Sequence, residues 1–377
     1  MNFYWNQDSI SNLIIDFLFL GLIVAVYHYF KNRYKNKGLV KSDYKIFLKV
    51  STLTTLIVFL ISNLPFVSSF LFVRFCWQYL TVFFPLFVLF RFVRMKIVFS
   101  VIFILILIPF KFYAEVVEPS DLEIQYIKIE TNKIKSKLYF VHISDLHYEG
   151  NKQELESLFN HIGSFKPNLI FITGDFLNDD SKMDELFQVL SLKNHFKIVM
   201  VDGDHDSNLD FNQIEKLYEF YYLENKSYRT ERNHVPFNLV GIKNKSYKDQ
   251  KNLDNLVSDL NQNEFNILLS HKPDVMFLDG MPKFDLVLAG HTHGGQFNLP
   301  WIGPISTVSR IPNWIAKGGK SEWKGTTIIS NRGFGMEGHV APRIRFLCRP
   351  HVVLLGVFPL NKSSDNSSGN GENRVPD

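Results

Sequence analysis

The pattern of apolar and polar positions changes character near residue 113. Before that point four apolar runs, 12–30, 46–66, 70–92 and 97–113, carry no polar stripe. A helix on the surface of a soluble domain would show one. Each run approaches the ~20 residues that cross a hydrocarbon core, so residues 1–113 are expected to form a multi-pass α-helical membrane region of about four helices. A cleaved signal peptide would be positive ahead of its apolar stretch, and residues 1–11 hold no Lys or Arg. Pro65 and Arg74 interrupt the second and third runs, where a broken or re-entrant helix would fit. Asp16 sits near one end of the first run and Arg74 in this broken region. No paired intramembrane charge is therefore expected, and a transporter reading has poor support.

Beyond residue 113 short Val/Ile/Leu/Phe-rich runs recur at 137–143, 168–173, 196–201, 237–242, 266–270, 285–289, 326–330 and 351–358. Helical stretches at 151–164, 181–193, 211–222 and 273–279 lie between them. This alternation predicts an α/β domain with largely buried strands. Residues 114–136 read as a linker with a first strand at 122–130, 137–360 as the domain, and 361–377 as a disordered Ser/Asn/Gly-rich tail.

Charge sharpens this division. Residues 1–113 hold twelve Lys or Arg and three Asp, whereas the remainder holds 29 basic and 34 acidic residues. The basic character thus belongs to the first third. The mildly acidic remainder excludes a nucleic-acid footprint, which needs clustered cations on the binding domain. Six Lys/Arg in 31–45 and three in 91–96 mark those loops as cytoplasmic. Four crossings then place the domain outside the cytoplasm, and three would leave it inside. Two cysteines, Cys76 and Cys348, exclude a disulfide scaffold.

Polar clusters follow five of the predicted strands: SDLH at 144–147, GD at 174–175, GDHD at 203–206, His271, and GHTH at 290–293. In open α/β sheets ligands bind beyond the carboxyl ends of strands, so these clusters converge on one edge. His and carboxylate side chains suit Mn, Fe and Zn. Alternation puts Asp145 and His147 on the same side of an extended chain, and His291 and His293 repeat that spacing. Glycines 174, 203 and 290 allow tight turns just before candidate ligands. A lone Asp or His at a strand end is more often a turn former, and GD alone says almost nothing. The ordered set of five carries the reading. His28, His142, His161, His195, His234 and His351 read as structural, and His339 is the one outsider able to approach a substrate.

These motifs resemble the calcineurin-like metallophosphoesterase superfamily, whose pattern runs D-x-H, G-D, G-N-H-[D/E], H and G-H-x-H. SNRGFG and APRIRF within 330–346 resemble its bacterial branch of membrane-linked phosphohydrolases. The resemblance spans about 120–358 and implies two packed β-sheets flanked by helices. It implies two divalent metal ions (Mn, Fe or Zn), one held by Asp145, His147, Asp175 and His293. Asp175 would bridge to the second, completed by Asp204, His271 and His291. His205 would act at the leaving group with Asp206 orienting it, while a metal-activated hydroxide attacks phosphorus.

One departure stands out, since Asp204 occupies the usual Asn position. An ionised Asp cannot donate a hydrogen bond to phosphate, and it makes the site one unit less positive. A milder one is Arg349-Pro350-His351, where the family often has Pro-Glu. The expected function is hydrolysis of a phosphomonoester or phosphodiester, lipid-linked or from the cell envelope, by a multi-pass protein of the cell membrane. A UDP-2,3-diacylglucosamine pyrophosphatase of lipid A synthesis is the second reading. A catalytically idle metal-binding sensor or scaffold is the third, favoured only by Asp204.

Overall fold

The computed structural model describes residues 7–36, 43–64, 70–85, 97–191, 196–258, 260–337 and 341–360. The expected tail at 361–377, His195, His339 and most of the two basic loops lie outside them. The chain divides into two compact units: 1–123 with 294–306 and 334–350, and 124–293 with 307–333 and 351–377.

In the first unit each of the four apolar runs contributes a helix: α1 Gln7–Asn36, α2 Asp43–Ser62, α3 Phe70–Gln78 and α4 Ile97–Phe112. Among the described residues only one helix is long and apolar enough to cross a membrane. It is Leu13–Arg33 within α1, 21 residues of mean hydropathy 2.1. The second and third runs give the shorter apolar helices Ile46–Ser62 and Phe70–Phe83, so the expectation of four full spans reduces to one. The reason is local. Ser62 Oγ and Asn63 Nδ2 both donate to the Phe59 carbonyl, ending α2 early. Past α3 the backbone loosens into a π-helical turn at Tyr79–Phe83.

A second expectation is overturned in this unit. Asp16 and Arg74 are paired: Arg74 Nε donates to Asp16 Oδ1 at 2.9 Å, and a terminal guanidinium nitrogen donates to Oδ2 at 2.7 Å. Gln78 Nε2 adds a third donor at 3.0 Å. The two charges, 58 positions apart, meet because α1 and α3 pack together around Phe19 and Phe75. Trp77, Phe110, Phe297 and Phe346 form an aromatic cluster, with ring centroids 5.1 to 6.3 Å apart. That cluster draws 294–306 and 334–350 into this unit.

The second unit is a sandwich of two mixed sheets. Its strands are β1 Glu123–Thr131, β2 Leu138–Ile143, β3 Leu169–Thr173, β4 Ile198–Val201, β5 Tyr221–Tyr222, β6 Lys226–Arg232, β7 Val235–Ile242, β8 Phe265–Ser270 and β9 Leu286–Ala289. The hairpin β10 Asn298–Leu299 and β11 Gly303–Pro304 belongs to the first unit. Then come β12 Gly319–Trp323, β13 Thr326–Ser330 and β14 His351–Pro359. One sheet has the order β1-β14-β2-β3-β4-β5 and the other β12-β13-β9-β8-β7-β6. Phe140, Phe171 and Val353 from the first sheet meet Phe237, Phe265 and Ile329 from the second in one dry core. The opposite face of the second sheet buries Val240, Leu268, Val287 and Ile328 against Leu253 and Val257 of the helix Gln250–Val257.

Helices α5 Lys152–Ser164 and α6 Met183–Ser191 are amphipathic and bury Leu155, Leu158, Phe159, Leu186 and Phe187. Helix α7 is Gln250–Val257, capped by the Asp249 carboxylate on Asn252 N–H. β2, β3 and β4 run parallel, as do β7, β8 and β9. Their carboxyl ends deliver the polar clusters.

Candidate metal centre

Each polar cluster begins where a strand stops. The loops after β2, β3, β8 and β9 are stitched together by backbone bonds: Asp145 N–H to Gly174 O, His147 N–H to Asp175 O and Gly290 N–H to His271 O, each 3.0 Å. Such close approach leaves no room for side chains. A Cβ on Gly203 would fall on the Asp175 carboxylate, and one on Gly290 on Ser144 Oγ. The turns are also strained. Asp145, His147, Asp175, His291 and His293 all adopt φ between 42° and 67°, a region that costs a non-glycine residue roughly 1–3 kcal/mol.

All seven candidate ligands come together in this unit. Asp145, His147 and His293 form one set of donors, and Asp204, His271 and His291 a second. Asp175 lies between them, with Oδ2 3.7 Å from His147 Nε2 and 3.2 Å from His271 Nε2. In the first set, His147 Nε2 and His293 Nε2 face each other at 3.1 Å, with His293 Nε2 3.5 Å from Asp145 Oδ1. In the second, His291 Nδ1 lies 3.0 Å from Asp204 Oδ2.

Ring orientation fits cation binding. His271 Nδ1 is 2.8 Å from the Thr173 carbonyl, so it carries the proton and donates it there. Its Nε2 is buried and makes no hydrogen bond of proper geometry, despite the nearby Asp175. His147 Nδ1 is 2.7 Å from Asn178 Oδ1, which turns Nε2 inward in the same way. Outer partners of this kind fix the tautomer of a metal-ligating histidine. Asn178 escaped the sequence reading. Its only signal is its place three residues after Asp175, and an isolated Asn there reads as a loop residue.

The electrostatics are those of a crowded anionic cluster. Burial raises the Asp145 carboxyl to about 7. Burial, then Asp175, does the same for Asp206. His147 is lowered by burial to about 4. Burial would also lower His271, but Asp175 and then Asp145 outweigh it and raise the imidazole to about 10. In return His271, then His147 and His205, overcome the burial of Asp175 and hold its carboxyl well below the usual range. The cluster needs positive charge at its centre, and a divalent ion supplies it without a proton.

His205 is half-buried, with its ring centroid 5.0 Å from that of His147 and its backbone N–H bonded to Asp175 Oδ1 at 2.9 Å. Asp206, expected to orient the His205 ring, is engaged by the backbone. Its carboxylate accepts N–H bonds from Asp175, Phe176 and Gly203 at 2.7 to 2.8 Å. It fixes the two loops that carry Asp175, Asp204 and His205. His142, read as structural, is buried with Nε2 2.9 Å from Thr173 Oγ1.

Residues 138–295 match the family described as Calcineurin-like phosphoesterase. The chain is 29% identical over 211 residues to the uncharacterized metallophosphoesterase YkoQ of Bacillus subtilis, covering 52% of this chain and 77% of that protein. It is 27% identical over 271 residues to the uncharacterized metallophosphoesterase YkuE of the same organism, covering 67% and 90%. With the uncharacterized metallophosphoesterase Cj0846 of Campylobacter jejuni it shares 25% identity over 256 residues, 62% of this chain and 63% of that one.

Proposed function

From a calcineurin-like phosphoesterase domain, the domain of hydrolases of phosphoric esters, we propose that this chain is a dinuclear metal-dependent hydrolase of phosphomonoesters or phosphodiesters held at a membrane. The observation that carries the reading is the pair of donor sets with Asp175 between them. Ions bound there would supply Lewis acidity and an activated water at neutral pH. The donor chemistry, imidazole with carboxylate, fits Mn, Fe or Zn.

The protein's own groups have separate tasks. Asp145, His147 and His293 would hold one ion, Asp204, His271 and His291 the other, and Asp175 both. Asn178 aims the His147 ring. Asp206 holds the loop geometry through three backbone N–H groups. The half-buried His205 ring stands beside the first donor set, where it can give a proton to a departing alkoxide. Intact donor sets and His205 count against an idle scaffold.

The membrane part of the reading rests on α1. Its Leu13, Ile14, Phe17, Leu18, Leu20 and Val24 are exposed, unlike the core helix of a soluble protein. The Asp16–Arg74 pair and the packing of α1 on α2 through Val26, Ile46 and Val50 tie it into the unit, which favours a retained anchor over a cleaved signal. Trp301, fully exposed at the turn of the β10–β11 hairpin in that unit, supports lipid contact. An anchored domain meets lipid-linked phosphoesters at high effective concentration, and such esters are the proposed substrate class. The test is turnover of p-nitrophenyl phosphate and bis-p-nitrophenyl phosphate by the detergent-purified chain with Mn²⁺. Hydrolysis of either supports the reading, and a metal-loaded protein that hydrolyses neither overturns it.

A further inference from the structure

Asp204 is the most exposed of the candidate ligands, and its two oxygens face different surroundings. Oδ2 looks inward, 3.0 Å from His291 Nδ1 and 4.0 Å from His271 Nε2. Oδ1 is held from outside by the Lys272 ammonium at 2.7 Å and by Asn244 Nδ2 at 2.9 Å. Neither holder is an incidental surface group. Asn244 is buried, and its backbone N–H is bonded to Asp202 Oδ1 at 2.9 Å. The Lys272 side chain is mostly buried, directly follows His271, and lies 4.9 Å from the centroid of the Tyr247 ring.

This arrangement has two chemical consequences. A carboxylate whose Oδ1 already accepts two hydrogen bonds has only Oδ2 to offer a cation, so it ligates through one oxygen. The ammonium also cancels the unit of negative charge that Asp204 brings to the site. Charge counting on the ligands alone sets Asp204 against phosphate binding, and Lys272 offsets that count.

We propose that Lys272, with Asn244, makes Asp204 a one-oxygen, charge-compensated ligand, so that Lys272 sets how strongly the metal-loaded site binds a phosphate anion. Lys272 is a positioning residue, acting through Asp204. The idea rests on the metal-dependent reading above and deepens it.

The test uses the full-length chain in detergent, loaded with Mn²⁺, and titrates inorganic phosphate calorimetrically alongside a count of bound Mn²⁺. Lys272→Met is expected to weaken phosphate binding about tenfold, the scale of one nearby unit charge at a partly exposed site. Lys272→Arg keeps the charge and is expected to stay close to wild type. Asp204→Asn leaves Lys272 uncompensated and is expected to bind phosphate more tightly than wild type. Asp204→Asn combined with Lys272→Met is expected to return to near wild-type phosphate affinity, the two opposed charge changes cancelling, whereas a merely structural lysine would leave the double variant as tight as Asp204→Asn alone. Wild-type phosphate affinity in Lys272→Met, weaker binding in Asp204→Asn, or a double variant that keeps the affinity of Asp204→Asn would each overturn the proposal. Should Lys272→Met fail to fold, Asp204→Asn still decides it. A wild-type chain that takes up no Mn²⁺ would sink the metal-dependent reading itself, whereas a loaded, active wild type whose double variant keeps the affinity of Asp204→Asn would sink this inference alone.

Discussion

At the scale of single residues, the side chains that touch no substrate do much of the work at this site. Asn178 fixes the His147 tautomer. Asn178→Ala is therefore expected to lower metal affinity by about 10- to 100-fold, measured as the Mn²⁺ dissociation constant, with the fold intact by circular dichroism. An unchanged constant would remove Asn178 from the account. Asp206 is a sharper case. Its carboxylate is buried and satisfies three backbone N–H groups. Leaving a buried donor unsatisfied costs about 1–3 kcal/mol, so Asp206→Ala should destabilise the domain by at least ~3 kcal/mol in thermal unfolding. Were Asp206 only an orienter of the His205 ring, activity would fall at unchanged stability.

At the scale of elements, strand ends decide the chemistry and strain accompanies it. Five candidate ligands sit at positive φ, and anionic groups crowd around them. Removing metal with EDTA should lower the melting temperature and Mn²⁺ should restore it, since a ligand at a hundred times its dissociation constant adds about 2.7 kcal/mol. A melting temperature indifferent to both would contradict a built metal site. His142 on β2 gives a pH prediction. Burial lowers it from 6.5 to about 3, so the folded chain holds it neutral. Its contribution to stability is then full above about pH 6.5 and is lost as pH falls toward 3, at up to about 1.4 kcal/mol per pH unit. His142→Gln should lose less stability than wild type between pH 6.5 and 4 in urea titrations at fixed pH values. Parallel losses would refute this.

These elements also show what a sequence reveals. Buried strands such as β2, β3 and β8 announced themselves as runs of Val, Ile, Leu and Phe, and the ordered motifs after them brought the seven candidate ligands into view. The polar β6, KSYRTER, escaped notice because it is an edge strand paired on one side. The two-residue strands at 221–222, 298–299 and 303–304 are too short to carry a period. Residues 211–222 read as one helix, yet the helix stops at Tyr218, where Glu219 turns left-handed, and a strand follows. Asn178, Asn244 and Lys272 were invisible because their roles come from loops that meet only in three dimensions. The Asp16–Arg74 pair stayed hidden for the same reason.

At the scale of the whole molecule, an apolar, largely exposed helix and a phosphoesterase domain share one chain. If α1 is a retained anchor, the protein should stay with membranes after alkaline carbonate extraction. Release into the supernatant would dismiss the anchor. If α1 is the one span, the Lys/Arg-rich 31–45 after it puts the domain on the cytoplasmic side, so protease added to spheroplasts should leave it intact. Cleavage would mean an even number of crossings and would remove cytoplasmic nucleotide-linked lipids from the candidate substrates.

The proposal that two donor sets sharing Asp175 make one hydrolytic centre has a stoichiometric consequence. Stripped full-length protein titrated with Mn²⁺ while bis-p-nitrophenyl phosphate hydrolysis is followed tests it most directly. Turnover should rise and saturate at two equivalents of Mn²⁺ per chain. Saturation at a single equivalent, or full metal occupancy without turnover, would contradict it.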